Sequence, residues 1–404
     1  MMQPTILSVE QAQQQLLNQL TAIATSEICS LHVATWRVLA EPIISTVGIP
    51  INHLSMMDGY AVNSQQTQFD QPLKVSQRIA AGEVPTEPLA MGTAARIFTG
   101  AMLPEGADAI VMQEQTQCDS DGNLIIKQIP QMGQHIRPAH SEIHPGQQLL
   151  AAGTRLSPQA IALCASVGIN QISVYRPLTV GLLVTGSELV EPGQPLTAGK
   201  TYNANLYLIE SLLRSYGYEV TSLGVVADDL ATTKQRLLDA ASFDAIITTG
   251  GVSVGEEDHV RQAVSELGQI DAWKVRMKPG KPFAFGQVKQ TPYFGLPGNP
   301  VSAFATFHLF VLPALRRLQG LPDMLIEPEL IPADFNIQIG DRREYLRAKV
   351  VNHAGVRRLH LHPNQNSSVL ASTVWADGFA VVPESTQVNT GDMIPFIPFH
   401  LYRQ

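Results

Sequence analysis

Cysteine is scarce in this 404-residue chain, and Cys29, Cys118 and Cys164 are widely spaced with no CxxC pair. An odd, scattered set argues against a disulfide framework or a cysteine-built zinc site and fits a reducing cytosol. Long apolar runs are missing as well. No stretch approaches the roughly 18 consecutive apolar residues of a membrane span, so none is expected. The opening MMQPTILSVEQAQQQ lacks the basic start and apolar stretch of a secretory signal. Positive charge is not in excess, and a net charge of −8 opposes general attraction to nucleic acid or anionic lipid. The 11 histidines are scattered or, as in HLH (360–362), spaced by strand alternation, so zinc is not expected. These absences point to a cytoplasmic protein with no nucleic-acid or membrane partner.

What is present is a hydrophobic share of 45%, enough for a sizeable core, and a length that suggests two to four domains at about 150 residues each. The basic residues cluster locally. Lys274, Arg276, Lys278 and Lys281 form one run, and Arg342, Arg343 and Arg347 another, both beside Gly/Pro turns. A solvated face and a local anion site are both open readings.

Along the chain, SVEQAQQQLLNQLTAIA (8–24) has an amphipathic helical stripe (Val9, Ala12, Leu16, Leu20, Ile23) and capping-box spacing at Ser8 and Gln11. From Ser45 to about Ile136, short β-like runs are broken by Gly and Pro, which reads as a β-rich insert. A helix over 157–167 follows, with Pro158 at its first position and Gly168 at its end. Then LTVGLLV (178–184) and DAIITTGG (244–251) read as strands buried on both faces. They alternate with helix-like 203–217, 229–242 and 259–268, and with EVTSLGVV (219–226) and TPYFGL (291–296). That alternation predicts a parallel sheet covered by helices on both faces, with a last apolar helix from Val301 that Pro313 can kink. Residues 326–404 alternate and are Pro-rich, which predicts a small β-domain.

Three strand-like runs end in Thr-Gly: ARIFTG (95–100), VGLLVTG (180–186) and IITTGG (246–251). Ligands bind at the carboxyl ends of strands in α/β sheets, where glycine lets backbone N–H groups approach a phosphate. TGGVSVGEED (249–258) is the most specific of the runs: Gly250, Gly251, Ser253 and Gly255 supply donors, and Glu256, Glu257 and Asp258 supply carboxylates. Asp229 reads as a helix cap, which leaves Asp228 at the mouth. Glu188 can be either cap or ligand. Oxygen-rich carboxylates of this kind suit Mg²⁺ bridging to phosphates. KPGKPFAFG (278–286) and GLPGNPVSAF (295–304) read as rigid turns, with Lys278 and Lys281 offered to an anion and Ser302 at the positive end of a helix.

At these residues the chain resembles the molybdopterin molybdenumtransferase family (MoeA and the gephyrin E domain). The shared runs are MDGYAV (57–62), IFTGAMLPEGADAIVMQEQT (97–116), TGGVSVGE (249–256), KPGKPFAFG (278–286) and GLPGNPVS (295–302), in family order over nearly the whole chain. The resemblance implies a multidomain α/β plus β fold in four parts. These are a discontinuous N-terminal helical and extended segment (1–45 and 137–175), a β-rich insert (46–136), a MogA-like three-layer α/β domain (176–324) and a C-terminal β-barrel-like domain (325–404). It implies a homodimer, and insertion of molybdenum from molybdate into adenylylated molybdopterin with release of AMP and with Mg²⁺. It further implies transient contact with a MogA-type adenylyltransferase and with molybdoenzyme maturation factors. Carried over residue by residue, Asp58, Glu188, Asp228 and Asp258 are the catalytic acids, and the last three also hold the metal. Thr99, Gly100, Thr185, Gly186, Gly250, Gly251, Ser253, Lys278, Lys281, Pro297, Gly298, Asn299 and Pro300 bind substrate. Ser302, Arg347 and Ser367 take molybdate.

The chain departs from the family pattern at three places. Asn52-His53-Leu54-Ser55-Met56 stands for F-D-N-S-A, Pro138-Ala139-His140-Ser141-Glu142 for R-R-G-E-D, and Ser187 for the acid of a TGDE turn. Two rivals therefore stay open: a paralogue that binds the pterin or cofactor without full activity, and a MogA-type adenylyltransferase.

Overall fold

The computed structural model describes residues 6–23, 25–226, 229–251, 259–321, 325–353 and 355–400. The chain divides into two compact units: Met1–Glu41 with Gly153–Ser157 and Gln171–Gln404, and Pro42–Ala152 with Pro158–Asn170.

In the first unit, the described residues form a seven-stranded sheet. Its strands are β1 (Ile6–Leu7), β2 (Thr179–Thr185), β3 (Glu219–Val226), β4 (Ala245–Thr249), β5 (Gly268–Val275), β6 (Pro282–Val288) and β7 (Thr291–Leu296), in the order β1-β5-β6-β7-β4-β2-β3. The expected parallel pairing holds for β7, β4, β2 and β3. The sheet as a whole is mixed, because β6 runs antiparallel to both β5 and β7. Side chains alternate across the sheet. Leu182, Val184, Ile247 and Phe294 face one core, and Leu183, Ile246 and Tyr293 face the other. Burying each such aliphatic side chain is worth roughly 1.5–3 kcal/mol, so the two faces fix the register of every strand.

Helices cover both faces, as expected of a three-layer α/β domain. On one side lie α1 (Val9–Asn18), α2 (Ala204–Ser215) and a long helix, Pro300–Leu318; on the other lie α3 (Leu230–Ala240) and α4 (His259–Leu267). The Ser8–Gln11 capping box forms, with the Ser8 side chain accepting from Gln11 N and the Gln11 side chain accepting from Ser8 N. The helix ends at Asn18, short of the expected Ala24. The long helix passes through a π-helical turn, Phe307–Val311, just before Pro313. Proline has no N–H to donate, and Leu309 O, four residues before it, accepts instead from Gln13 Nε2 at 2.8 Å. By length and composition this 19-residue helix could cross a membrane, yet 94% of its apolar window lies buried inside the protein.

The same unit carries a C-terminal β-structure of Glu329–Pro332, Arg343–His353, Val356–Leu361, Gly378–Val382 and Met393–Pro398. The two-residue strand Met277–Lys278 joins it, parallel to Arg343 and Glu344. Leu346, Ala348, Leu359, Ala380 and Phe396 form its core.

In the second unit, described residues form a six-stranded sheet in the order Ala109–Met112, Gly59–Val62, Thr93–Ile97, Pro72–Ile79, Leu124–Ile126, Thr116–Cys118. Ala61, Ala95, Ile97 and Ile110 pack on one face, Val62, Ala94, Val111 and Leu124 on the other. The helix Pro158–Ser166 stops at Gly168, whose φ of 81° suits glycine, with Ile169 N donating to Cys164 O at 3.1 Å.

Candidate functional site

Because β2, β4 and β7 run parallel, their carboxyl ends meet at one edge of the sheet, and a cleft of about 1710 Å³ opens there. Thr185, Gly186, Gly250, Gly251, Pro297, Gly298, Asn299 and Pro300 all line it. Of the three Thr-Gly runs, the two in this sheet share the cleft, whereas Thr99-Gly100 lies in the second unit. Glycine is required at position 250: φ is 86°, and an added Cβ would sit 2.6 Å from Thr185 O. Its N–H donates to Leu296 O at 3.0 Å, locking the end of β4 to β7.

Asn205, in this wall, carried no sequence signal, and Thr249 was read as the first residue of the TGGVSVGEED run. Asn205 Nδ2 donates to Gly298 O at 2.7 Å, which fixes the amide so that Oδ1 points elsewhere. Asn205 Oδ1 and Thr249 Oγ1 are buried without a hydrogen-bond partner among the described residues. A buried polar atom left unpaired costs about 1–3 kcal/mol, so this wall is built for more than stability.

The opposite wall is cationic. Lys278, Lys281 and Arg342 line the cleft together with Ser302 and Ser367. Lys278 Nζ donates to Glu344 Oε1 at 2.9 Å, while Lys281 makes no ion pair among the described residues. Gly280, at φ 105°, lets the Lys-Pro-Gly-Lys turn lie against the start of the long helix, where a Cβ would meet Thr306 Cγ2 at 2.7 Å. Val301 N donates to Ser367 O at 3.1 Å, so the helix start and the 366–368 loop form one corner. Arg347 stands behind that loop, 1% exposed. Its Nε donates to Ser372 Oγ at 3.2 Å, and its Nη2 donates to Asn366 O at 3.4 Å. It has no carboxylate at ion-pair distance among the described residues. Burial pulls its pKa down to about 10, so it remains a cation at neutral pH. The two basic runs thus split. Lys278, Lys281 and Arg342 line the cleft, Arg347 lies buried behind the 366–368 loop, Lys274 lies on β5, and Arg343 turns away to pair with Glu10.

Among the acids, Glu188 is an exposed carboxylate on the cleft, folded back over Gly186. It caps no helix, since a short strand, Leu189–Val190, follows it and α2 is capped by Asn203. Asp229 does cap α3, accepting from Thr232 N at 2.8 Å. The Thr232 side chain first, and then that backbone bond, hold its pKa below the ordinary carboxyl value. Asp228, Ser253 and Asp258 lie outside the described residues, though Gly251 and His259, which flank the second stretch, both line the cleft. Among the described residues no group of three His, Cys, Asp or Glu side chains forms a metal set.

In the second unit Asp58 and the Thr99-Gly100 turn meet. Asp58 Oδ1 accepts from Thr99 N and from Thr99 Oγ1, each at 2.8 Å. The backbone N–H of Thr99, then its hydroxyl, hold the Asp58 pKa below the ordinary carboxyl value, with a smaller contribution from Arg96. The 52–56 and 138–142 segments, two of the three departures from the family pattern, pack together in this unit, whereas Ser187 lies in the first unit. His53 Nδ1 accepts from Ala139 N at 3.2 Å, the His140 ring covers Gly48, and Arg137 pairs with Glu142.

Three family models match successive parts of the chain. The model of the MoeA N-terminal region (domain I and II) matches residues 7–168, a probable molybdopterin binding domain matches 181–317, and the MoeA C-terminal region (domain IV) matches 337–399. The chain is 37% identical to a molybdopterin molybdenumtransferase of Haemophilus influenzae, over 98% of this chain and 99% of the relative. It is 35% identical to one of a Nostoc species, over 91% of this chain and 87% of the relative. A crystal structure of the molybdopterin biosynthesis moeA protein from Pyrococcus horikoshii OT3 superimposes with a TM-score of 0.83 at 26% identity, covering 98% of this chain and 100% of that one. Similarity of this extent and order places the chain in the molybdopterin molybdenumtransferase family.

Proposed function

We propose that this protein transfers molybdenum from molybdate to adenylylated molybdopterin, releasing AMP and the molybdenum cofactor. The observation that carries the reading is the cleft itself, in which glycine-opened strand ends face a corner of lysine, arginine and serine donors. In this reading the strand ends and the Pro297–Gly298–Asn299–Pro300 turn hold the pterin nucleotide. Lys278, Lys281, Ser302, Arg347 and Ser367 bind the tetrahedral oxyanion, which charge-assisted hydrogen bonds suit. Asp58, Glu188, Asp228 and Asp258 keep their proposed catalytic role, and Thr99, Gly100 and Ser253 their proposed contacts with substrate. Glu188, Asp228 and Asp258 would hold Mg²⁺, which neutralises phosphate charge as AMP departs.

The proposal includes a cytoplasmic homodimer, contact with a MogA-type adenylyltransferase and maturation factors, and the four-part division at 45/46, 136/137, 175/176 and 324/325. The test is AMP release by the purified protein given adenylylated molybdopterin, Mg²⁺ and molybdate. Release that depends on molybdate is expected. ATP consumption with molybdopterin would indicate an adenylyltransferase instead, and binding of the pterin nucleotide without release would indicate a non-catalytic paralogue.

A further inference from the structure

The corner that carries Ser367 and Arg347 has an unusual joint. Strand Arg343–His353 pairs on one side with Val356–Leu361, and the last backbone bond of that ladder runs from His362 N to Arg347 O at 3.0 Å. Residue 363 is proline and cannot donate, so the ladder stops there and the chain leaves as the loop that reaches the cleft. A side chain supplies the missing rung. Gln365 Oε1 accepts from Arg347 N at 2.9 Å, and Gln365 Nε2 donates to Arg347 O at 2.9 Å and to His362 O at 3.0 Å. The carboxamide thus bonds both backbone groups of Arg347, as a neighbouring strand would. The loop beyond is wound on short polar turns, with Asn366 Oδ1 accepting from Ser368 N at 3.0 Å. Gln365 ties this loop to the backbone of Arg347, and the bond from Arg347 Nη2 to Asn366 O ties it to the guanidinium.

We propose that Gln365 is a positioning residue for oxyanion binding: its carboxamide sets the Arg347 guanidinium and the Ser367 loop at one fixed separation. The inference rests on the molybdate reading of the corner given above. An amide is needed because the position demands one acceptor and one donor in a plane. A carboxylate offers only acceptors and would face two carbonyl oxygens, and a thioether offers no donor and only a weak acceptor.

The experiment compares the parent protein with Gln365→Met and Gln365→Glu. It measures binding of molybdate alone by calorimetry, molybdate KM and kcat in the AMP-release assay, AMP affinity, and thermal melting. A rise in molybdate Kd and KM of roughly tenfold or more is expected, the scale of losing paired hydrogen bonds. Gln365→Glu is expected to be the worse, with AMP affinity and kcat at saturating molybdate held within about threefold. Unchanged molybdate Kd in both variants overturns the inference, as does a fall in AMP affinity and melting temperature that matches the loss of molybdate binding. Absence of molybdate binding to the parent protein overturns it too. If the parent binds molybdate but releases no AMP, the functional reading fails while calorimetry still decides the role of Gln365.

Discussion

Asp58 receives two hydrogen bonds from Thr99, and their effect on its ionisation has a definite sign. A carboxyl whose pKa is lowered on folding contributes stability above its unfolded value, and that contribution is lost as pH falls through the folded value. Asp58 is therefore anionic across any neutral assay, ready for a role that needs charge. Asp58→Asn keeps the shape and an acceptor for Thr99 N, so folding should persist while AMP release falls about 10²- to 10⁴-fold, the range of a lost acid–base group. Turnover close to the parent's, with a normal circular dichroism spectrum, would take Asp58 out of the chemistry. Gly250→Ala should destabilise by about 2–4 kcal/mol, combining the left-handed backbone with overpacking. Urea unfolding measures this, and a midpoint equal to the parent's would mean the strand end can open. At this scale the sequence displayed the glycines, lysines and Ser302 of the cleft because their chemistry is written in residue type. Asn205 and Gln365 were hidden because an amide declares its partner only after folding.

Among elements, the edge of the sheet opposite the cleft is held by an ion pair. Arg176 donates to both carboxylate oxygens of Asp244, at 2.6 and 2.8 Å, and Thr179 N donates to Asp244 Oδ2 at 2.8 Å. Burial alone would raise the Asp244 pKa, yet the bonds from Arg176 and Thr179 outweigh it and hold the carboxyl below its ordinary value. Asp244→Ala should therefore cost about 2–4 kcal/mol near neutral pH, since it leaves Arg176 and Thr179 without their acceptor. The difference from the parent should shrink once acid protonates the parent's own carboxyl. A parent and variant that lose stability in parallel down to pH 3 would contradict that account. Helix existence and the buried strands were legible from periodicity and caps, whereas the direction of β6 was not. Only residues 276–281 separate β5 from β6, and only 289–290 separate β6 from β7. Connections that short cannot cross over a sheet, so both pairs must be antiparallel. Reading 278–286 as a single rigid turn concealed this.

Over the whole molecule, a net charge of −8 surrounds a cleft that presents Lys278, Lys281 and Arg342. Attraction of an anionic substrate to such a cleft weakens as the screening length falls from about 10 Å at 0.1 M salt to about 3 Å at 1 M. The KM for molybdate should rise several-fold over that range, and a KM indifferent to salt would mean that hydrogen bonds alone select the anion. Chelation of Mg²⁺ should stop AMP release and its return should restore it; turnover that survives chelation would remove the metal from the proposal.

The contacts of α1 and the segment just after it with the long buried helix join residues far apart in the chain, 296 positions between Gln13 and Leu309. Gln13 Nε2 donates to Leu309 O at 2.8 Å, and Ile23 N donates to Leu318 O at 2.9 Å. Ribosomes add about 5–20 residues per second, so α1 emerges roughly 15–60 s before the surface it packs on. For that interval the stripe of Val9, Ala12 and Leu16 has no native cover from the long helix. A nascent chain arrested before residue 300 should hence be held by chaperones or degraded, and translation through the long helix should release it.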